Sequence, residues 1–495
     1  MRRVLQRQLP ISAAFLATLA YFHAVGLHPQ YMRAESGRFL ATAARGAGAM
    51  GGLLAGFFTH SYNGHYTPIA FGLELLQSAI FGPHEWIWLT RQALVFAVLG
   101  VALFRLMRAT LPVPIAFAAT VVFMAQPLML EIASWPFMVM QLGYLIFFAV
   151  TASLLIEFAR QPKATTLWWT VSCGYATMQV CGTGLATAFS LEGCLIGLYL
   201  AARSRGALTI LRRHLVWAIG VLAVLTLIHG ALMAHLPPNT PATVRVAPLV
   251  DFERFGGLLV DTLWAALRAM WGADAFPWPR VEAVTADAAY GFGVVAILVA
   301  VGFHLANRYR HDGTPDRLAQ ILVYSFSAGT LLFVVALMVM RGGSDDELLG
   351  FLIGSRYLIL ISAPTLVVFA SLVMVVKWPA GLARAISAAV IVTSLSATFV
   401  FAYSVKPKVW PRQSISDDRV IAASTAYIET AVATHSPVED VDMSPVGDGF
   451  PFDLKWYAPI IRKQIGLAPS VDLTWGTSTN PTMTRARNAV LDALR

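Results

Sequence analysis

Charge is scarce in this chain. Only 13% of its 495 residues are Asp, Glu, Lys or Arg, against about a quarter in an ordinary soluble domain. That shortage excludes a typical water-soluble globular protein. Cysteine is scarcer still. Cys173, Cys181 and Cys194 all fall in one hydrophobic region, which excludes a disulfide framework, and their spacing fits no metal motif. Internal repeats are also missing.

Apolar residues fill the space that charge leaves. They make up 57% of the chain and lie in long blocks, the pattern of a polytopic membrane protein. The opening MRRVLQRQLP and its apolar run could be a leader, but a whole series of spans follows, so it reads as a retained first span. About eleven transmembrane helices are expected, each of roughly 17–24 residues. They lie near 11–28, 89–108, 112–130, 138–158, 166–182, 186–202, 214–234, 289–307, 319–340, 355–376 and 381–403. The fifth and sixth are separated only by Cys181-Gly182-Thr183-Gly184, almost no loop.

The cations sort with this span list. One alternating set of loops holds Arg2, Arg3, Arg7, Arg105, Arg108, Arg160, Lys163, Arg203, Arg205, Arg212, Arg213, Arg308, Arg310, Arg317, Lys377 and Arg384. Only Glu157, Asp312 and Asp316 oppose them there. By the positive-inside rule the N-terminus is cytoplasmic and the C-terminus extracytoplasmic. The pI of 9.6 then reflects topology and gives no reason to invoke nucleic acid.

Three segments fall on the extracytoplasmic side: 29–88, 235–288 and 404–495. The expected domains are a transmembrane part, 1–403, and a small C-terminal domain, 404–495. In the latter, IAASTAYIETAVA (421–433) reads as a helix and VEDVDMS (438–444) as a strand. Two stretches read as interfacial helices. In 251–271, Asp251, Arg254, Asp261 and Arg268 share one helical face, with Phe252, Phe255, Leu259 and Leu263 on the other. In 68–82 the apolar run is too short to cross a bilayer and carries Glu74 and Gln77 in its middle.

Candidate chemistry gathers near the first loop. In HPQYMRAESGRFLATAARGAG (28–48), Glu35 and Arg38 stand three apart and share a helical face. They are either an incidental ion pair of a solvated loop or a site at the membrane boundary, where ionisable groups are costly. His23, His28, His60, His65 and His84 cluster in the same region, but no HxH or HxxxH spacing suggests a metal centre. Arg356 and Tyr357 open a late span containing Pro364. They suit a lipid phosphate, or simply snorkel to headgroups. Asp345, Asp346 and Glu347 offer carboxylates to a divalent cation or form a solvated loop; no cofactor is called for by spacing.

In this order the pieces resemble the GT-C membrane glycosyltransferases, in particular bacterial relatives of aminoarabinose and protein O-mannosyl transferases. AESGRF (34–39), HYTPIAFGLELLQSAIFG (65–82), EW (85–86), LFRLMR (103–108) and SRYLILISAP (355–364) follow the family's sequence of motifs. Three positions depart from it. Ala34 stands where the family has a catalytic Asp, Tyr66 or Thr67 replaces a basic residue beside the proline, and Leu89 precedes Arg91 where an Arg is expected. The resemblance implies a GT-C-like fold in a bacterial cytoplasmic membrane. It implies transfer of sugar from a polyprenyl-phosphate donor to a glycan, lipid or protein acceptor, among the membrane lipids. It further implies Glu35 as general base, Arg91 and Arg356 at the leaving phosphate, and Arg38, His65, Tyr66 and Tyr357 around them. The competing classes are a lipid-linked oligosaccharide flippase, a polysaccharide polymerase and a non-catalytic envelope subunit. A transporter would want ionisable groups deep in its spans, which are nearly free of them.

Overall fold

A computed structural model describes residues 2–61, 66–201, 211–237, 255–257, 259–261, 263, 288–312, 314–340, 358–373, 379–405, 415–439, 454–467 and 473–493. Among the described residues every regular element is helical apart from one parallel bridge, Val438 to Trp475. The chain forms α1 (Arg2–Ala24), α2 (Ala34–Ala44), α3 (Ala47–Thr59), α4 (Pro68–Phe81) and α5 (Glu85–Thr110). Then come α6 (Val113–Met124), α7 (Pro127–Ser134), a 3-10 turn (Pro136–Met138), α8 (Val139–Arg160), α9 (Ala164–Val180) and α10 (Gly184–Ala201). The long helices resume with α11 (Arg212–His235), α12 (Ala288–Asp312), α13 (Pro315–Met340), α14 (Leu358–Val373) and α15 (Ala380–Val400). Three shorter helices close the chain: α16 (Asp417–Thr434), α17 (Leu454–Gln464) and α18 (Pro481–Ala493).

Length and composition make this a polytopic helical membrane protein. Five helices are long and apolar enough to cross a bilayer: Glu85–Thr110, Pro136–Arg160, Arg212–His235, Pro315–Leu337 and Ala380–Ser404. Of the about eleven expected spans, the one near 112–130 is met only by a broken pair, α6 and α7, bent by 61°. Pro127 accounts for the break, since it has no N–H and disfavours helix at the residue before it. The carbonyls freed there find donors. Gln126 Nε2 donates to Phe123 O at 2.9 Å, and the Thr398 hydroxyl of α15 donates to Ala125 O. The spans expected near 11–28, 186–202 and 355–376 contain shorter apolar helices, Pro10–Ala24, Gly184–Leu200 and Ile359–Ser371.

The closely linked pair at 166–202 is a hairpin, α9 packed against α10. Its short link works because of Gly184: a Cβ there would lie 2.1 Å from Thr177 O. The bundle core is apolar and close-packed, with Phe96, Leu99, Leu103, Leu145, Phe148 and Leu155 all fully buried.

At one end of the bundle, α2, α3 and α4 pack on each other and the C-terminal helices join them. α16 covers the helix expected at 421–433. Most of the strand expected at 438–444, and most of the interfacial helix expected at 251–271, lie outside the described residues. Of the latter, Phe255, Leu259 and Leu263 pack together with Leu331, Val334 and Ile361. The C-terminal helices dock on the first loop. Met32 N–H donates to Asp417 Oδ2 at 2.8 Å, the Tyr31 hydroxyl donates to Asp418, and the Tyr31 and Trp88 rings stack. Burial, together with Asp417 and Asp418, pushes the Tyr31 phenol well above its usual range.

Candidate functional site

The half-length helix α4 exposes an apolar stripe and buries two polar side chains among Phe71 and Leu75 on its inner face. Ile69, Leu73, Leu76 and Ile80 are exposed along one stripe, while Glu74 and Ser78 are buried on the other face. A water-facing helix would be arranged the other way, so the stripe suits lipid contact. Inside, Glu74 is 1% exposed and pairs with Arg91 of α5. Burial holds the Glu74 carboxyl above its usual range, against the opposing pull of Arg91. Arg91 also donates to Pro136 O at 2.9 Å and to Gln92 Oε1 at 3.1 Å. Its guanidinium lies 5.3 Å from the Trp88 ring centroid.

Pro136 belongs to a segment, 131–138, that ties several elements together. Gln92 of α5 donates to Ala133 O at 3.0 Å. Gln30 N–H donates to Ser134 O at 2.7 Å. Phe137 N–H donates to Ser36 Oγ in the first turn of α2 at 3.0 Å. The segment therefore holds α5, the first loop and α2 in register.

Arg33, the residue before α2, reaches the same segment from the loop. Its Nη2 donates to Glu131 Oε1 at 3.3 Å, and the guanidinium sits 4.3 Å from the Trp135 ring centroid. Both partners are largely buried, at 10% and 14% exposure. The Nε and Nη1 atoms of Arg33 are enclosed and have no hydrogen-bond partner. Glycine fixes this loop against its helix. A Cβ at Gly37 would lie 2.2 Å from Met32 O, so no larger residue fits.

Glu35 and Arg38 follow directly on α2. Both are partly buried, and Glu35 lies in the first turn, where a helix favours negative charge. Arg33, Glu35 and Arg38 thus follow one another at the start of α2, with Glu131 and Trp135 set against Arg33. The other end of α2 meets α17 at an open cleft of about 480 Å³ lined by Arg45, Arg462 and Lys463, among others.

The remaining sequence candidates fall elsewhere. Arg91 is engaged with Glu74 and the 131–138 segment. Tyr66 sets its ring edge-on against His229 of α11, centroids 5.8 Å apart. His65, Arg356, Tyr357 and the carboxylates at 345–347 lie outside the described residues. Among the described residues no group of three or more His, Cys, Asp or Glu is placed to hold a metal ion.

Arg33 and Glu131 were missed by sequence reasoning. Glu131 carried a usable signal, being the lone charge in the short link between two expected spans. Its partner, 98 positions away, could not be inferred. Comparison of the chain with family models, with curated proteins and with solved structures found no match.

Proposed function

We propose that this protein transfers a sugar from a polyprenyl-phosphate donor to an acceptor at the membrane boundary, with Glu35 as general base. The single observation that carries the reading is the cluster at the start of α2. A carboxylate, Glu35, comes two residues after a largely buried arginine, Arg33, whose Nε and Nη1 have no hydrogen-bond partner. The resemblance of the motif order to the GT-C transferases supplies the substrate class, and the eleven-span GT-C-like topology belongs to the same proposal. α2 packs against α4, whose apolar stripe offers a surface along which a prenyl chain could lie.

In this mechanism the acceptor hydroxyl gives its proton to a Glu35 carboxylate oxygen as its own oxygen attacks the anomeric carbon. The bond from that carbon to the phosphate oxygen breaks, and the lipid phosphate leaves. Negative charge grows on the leaving oxygen. Donors fixed in a site of low dielectric stabilise it better than water does. Arg33 replaces Arg91 in this role, because Arg91 is occupied by Glu74, and Arg38 lies on the same face as Glu35. Trp135 holds the Arg33 guanidinium by its ring face. The cationic cleft at Arg45, Arg462 and Lys463 fits a negatively charged acceptor.

The test is turnover by purified wild type and Glu35→Gln with polyprenyl-phosphate sugars and a membrane extract as acceptor, read as free polyprenyl phosphate by mass spectrometry. Release by wild type and a loss of at least about 100-fold in the variant are expected, the scale of general-base catalysis. Equal release by both proteins removes Glu35 from the mechanism. No release from any donor favours the transporter or assembly-subunit reading.

A further inference from the structure

Among the ionisable groups that fall within the expected spans are Glu192 in 186–202 and His229 in 214–234. The fold puts them on helices that touch, since α11 packs against both α9 and α10. His229 is 2% exposed, and its Nδ1 lies 3.4 Å from the Gln179 side-chain nitrogen at the end of α9. Its Nε2 is enclosed and has no hydrogen-bond partner. One turn earlier on the same face of α11, the buried Thr226 hydroxyl faces half-buried Glu192 of α10 and, like His229 Nε2, is enclosed with no hydrogen-bond partner. The Oε1 atom of Glu192 is enclosed and unpartnered as well.

No cation relieves this carboxylate. Among the described residues no Lys or Arg forms an ion pair with Glu192. The α13 side of α10 is already used. Ser190 donates to Phe326 O at 2.6 Å, and the Cys194 thiol lies 3.7 Å from Leu322 O. Both stand two residues from Glu192 and so point to the opposite side of the helix. The group that bears on Glu192 is therefore Thr226 of α11, with His229 one turn further along the same helix face, Gln179 of α9 beside His229, and the Tyr66 ring at the end of the row.

Inside a bilayer no lipid can satisfy these atoms, and ionisable groups at such a depth mark a path or a site. The set mixes a carboxylate, a hydroxyl, an imidazole and an amide, and each can bond water.

We propose that Glu192, Thr226, His229 and Gln179 form a hydrated proton-binding site within the bundle, open at its Tyr66 end, with Glu192 as the group that takes the proton. The O–H bond made on Glu192 is the one broken in a hydronium ion. The water left behind stays in the row, held by Thr226 and His229. This site is separate from the cluster at α2 and stands whether or not sugar transfer does.

Dicyclohexylcarbodiimide tests it, because the reagent adds to a carboxyl that is protonated and in apolar surroundings. The full chain in phospholipid vesicles would be labelled between about pH 5 and 9 and Glu192 read by peptide mass spectrometry, normalised to a free fatty acid in the same vesicles. Labelling should fall about tenfold per pH unit above a midpoint, and His229→Asn or Thr226→Val should move that midpoint. Absence of label at Glu192 across the range overturns the site. So does labelling that ignores pH, or a midpoint that neither substitution moves.

Discussion

Arg91 and Arg33 both reach the 131–138 segment, and they differ in what is left over. Arg91 is paired with Glu74, bonded to Pro136 and Gln92, and set against Trp88. Arg33 has one longer bond to Glu131, a stacked ring, and two donors to spare. Two cations of equal charge at one end of a bundle thus have different prospects. A fully engaged arginine fixes helices in place, and an incompletely engaged one can meet an anion. Burial alone does not distinguish them; the count of partners does.

Arg91→Met is expected to have the largest effect, because it leaves Glu74 buried without its cation. Loss of one partner of such a pair costs about 3–5 kcal/mol, measurable as thermal unfolding in detergent. The double variant Glu74→Leu with Arg91→Met should recover most of that loss, since two apolar residues replace two desolvated charges. If the double variant is no better than the single one, the pair is not the anchor described here.

Gly37→Ala comes next. Its new methyl would run into the Met32 carbonyl, so the loop must shift at a cost of about 1–3 kcal/mol. Wild-type stability for this variant would show that the loop carrying Arg33 is not held tightly against α2. Arg33→Lys tests the open side of the comparison. It keeps the charge but loses the fork, and should weaken binding of polyprenyl phosphate by about tenfold, or about 1.4 kcal/mol, with little change in unfolding temperature. The opposite pattern, lost stability with unchanged binding, would make Arg33 a second anchor.

The smallest effect concerns the docking of α16 at Tyr31. The folded phenol titrates above its unfolded value of 10.0, so its contribution is fully present below pH 10 and is lost as pH climbs toward the folded value. Stability of wild type should therefore fall more steeply above about pH 10 than that of Tyr31→Phe, followed by near-ultraviolet absorbance. Equal slopes would mean that Tyr31 gains nothing from its carboxylate partners.

How much of this was legible beforehand depends on separation along the chain. The helix at 68–82 was readable from Pro68 at its start and its apolar run, and Glu74 stood out as misplaced within it. The helix at 421–433 was readable from its pattern and recurs in α16. The sharp bend between α6 and α7 was less so, because the apolar run continues through Pro127 and hydropathy takes no account of a missing N–H. The reason for Glu74 was hidden in Arg91, which had been assigned to a phosphate.

Composition and periodicity by themselves determined that this chain is helical and crosses a membrane several times, because a bilayer demands apolar runs whose backbone bonds to itself. They also placed Glu35 and Arg38 on one face, because the helical repeat is local. Only the tertiary structure decided which charges meet. Arg33 finds Glu131, Arg91 finds Glu74, and Glu192 meets Thr226 without a cation, through contacts between distant helices. In a low-dielectric interior the energy of a charge is set by its neighbours in space, and sequence order does not name them.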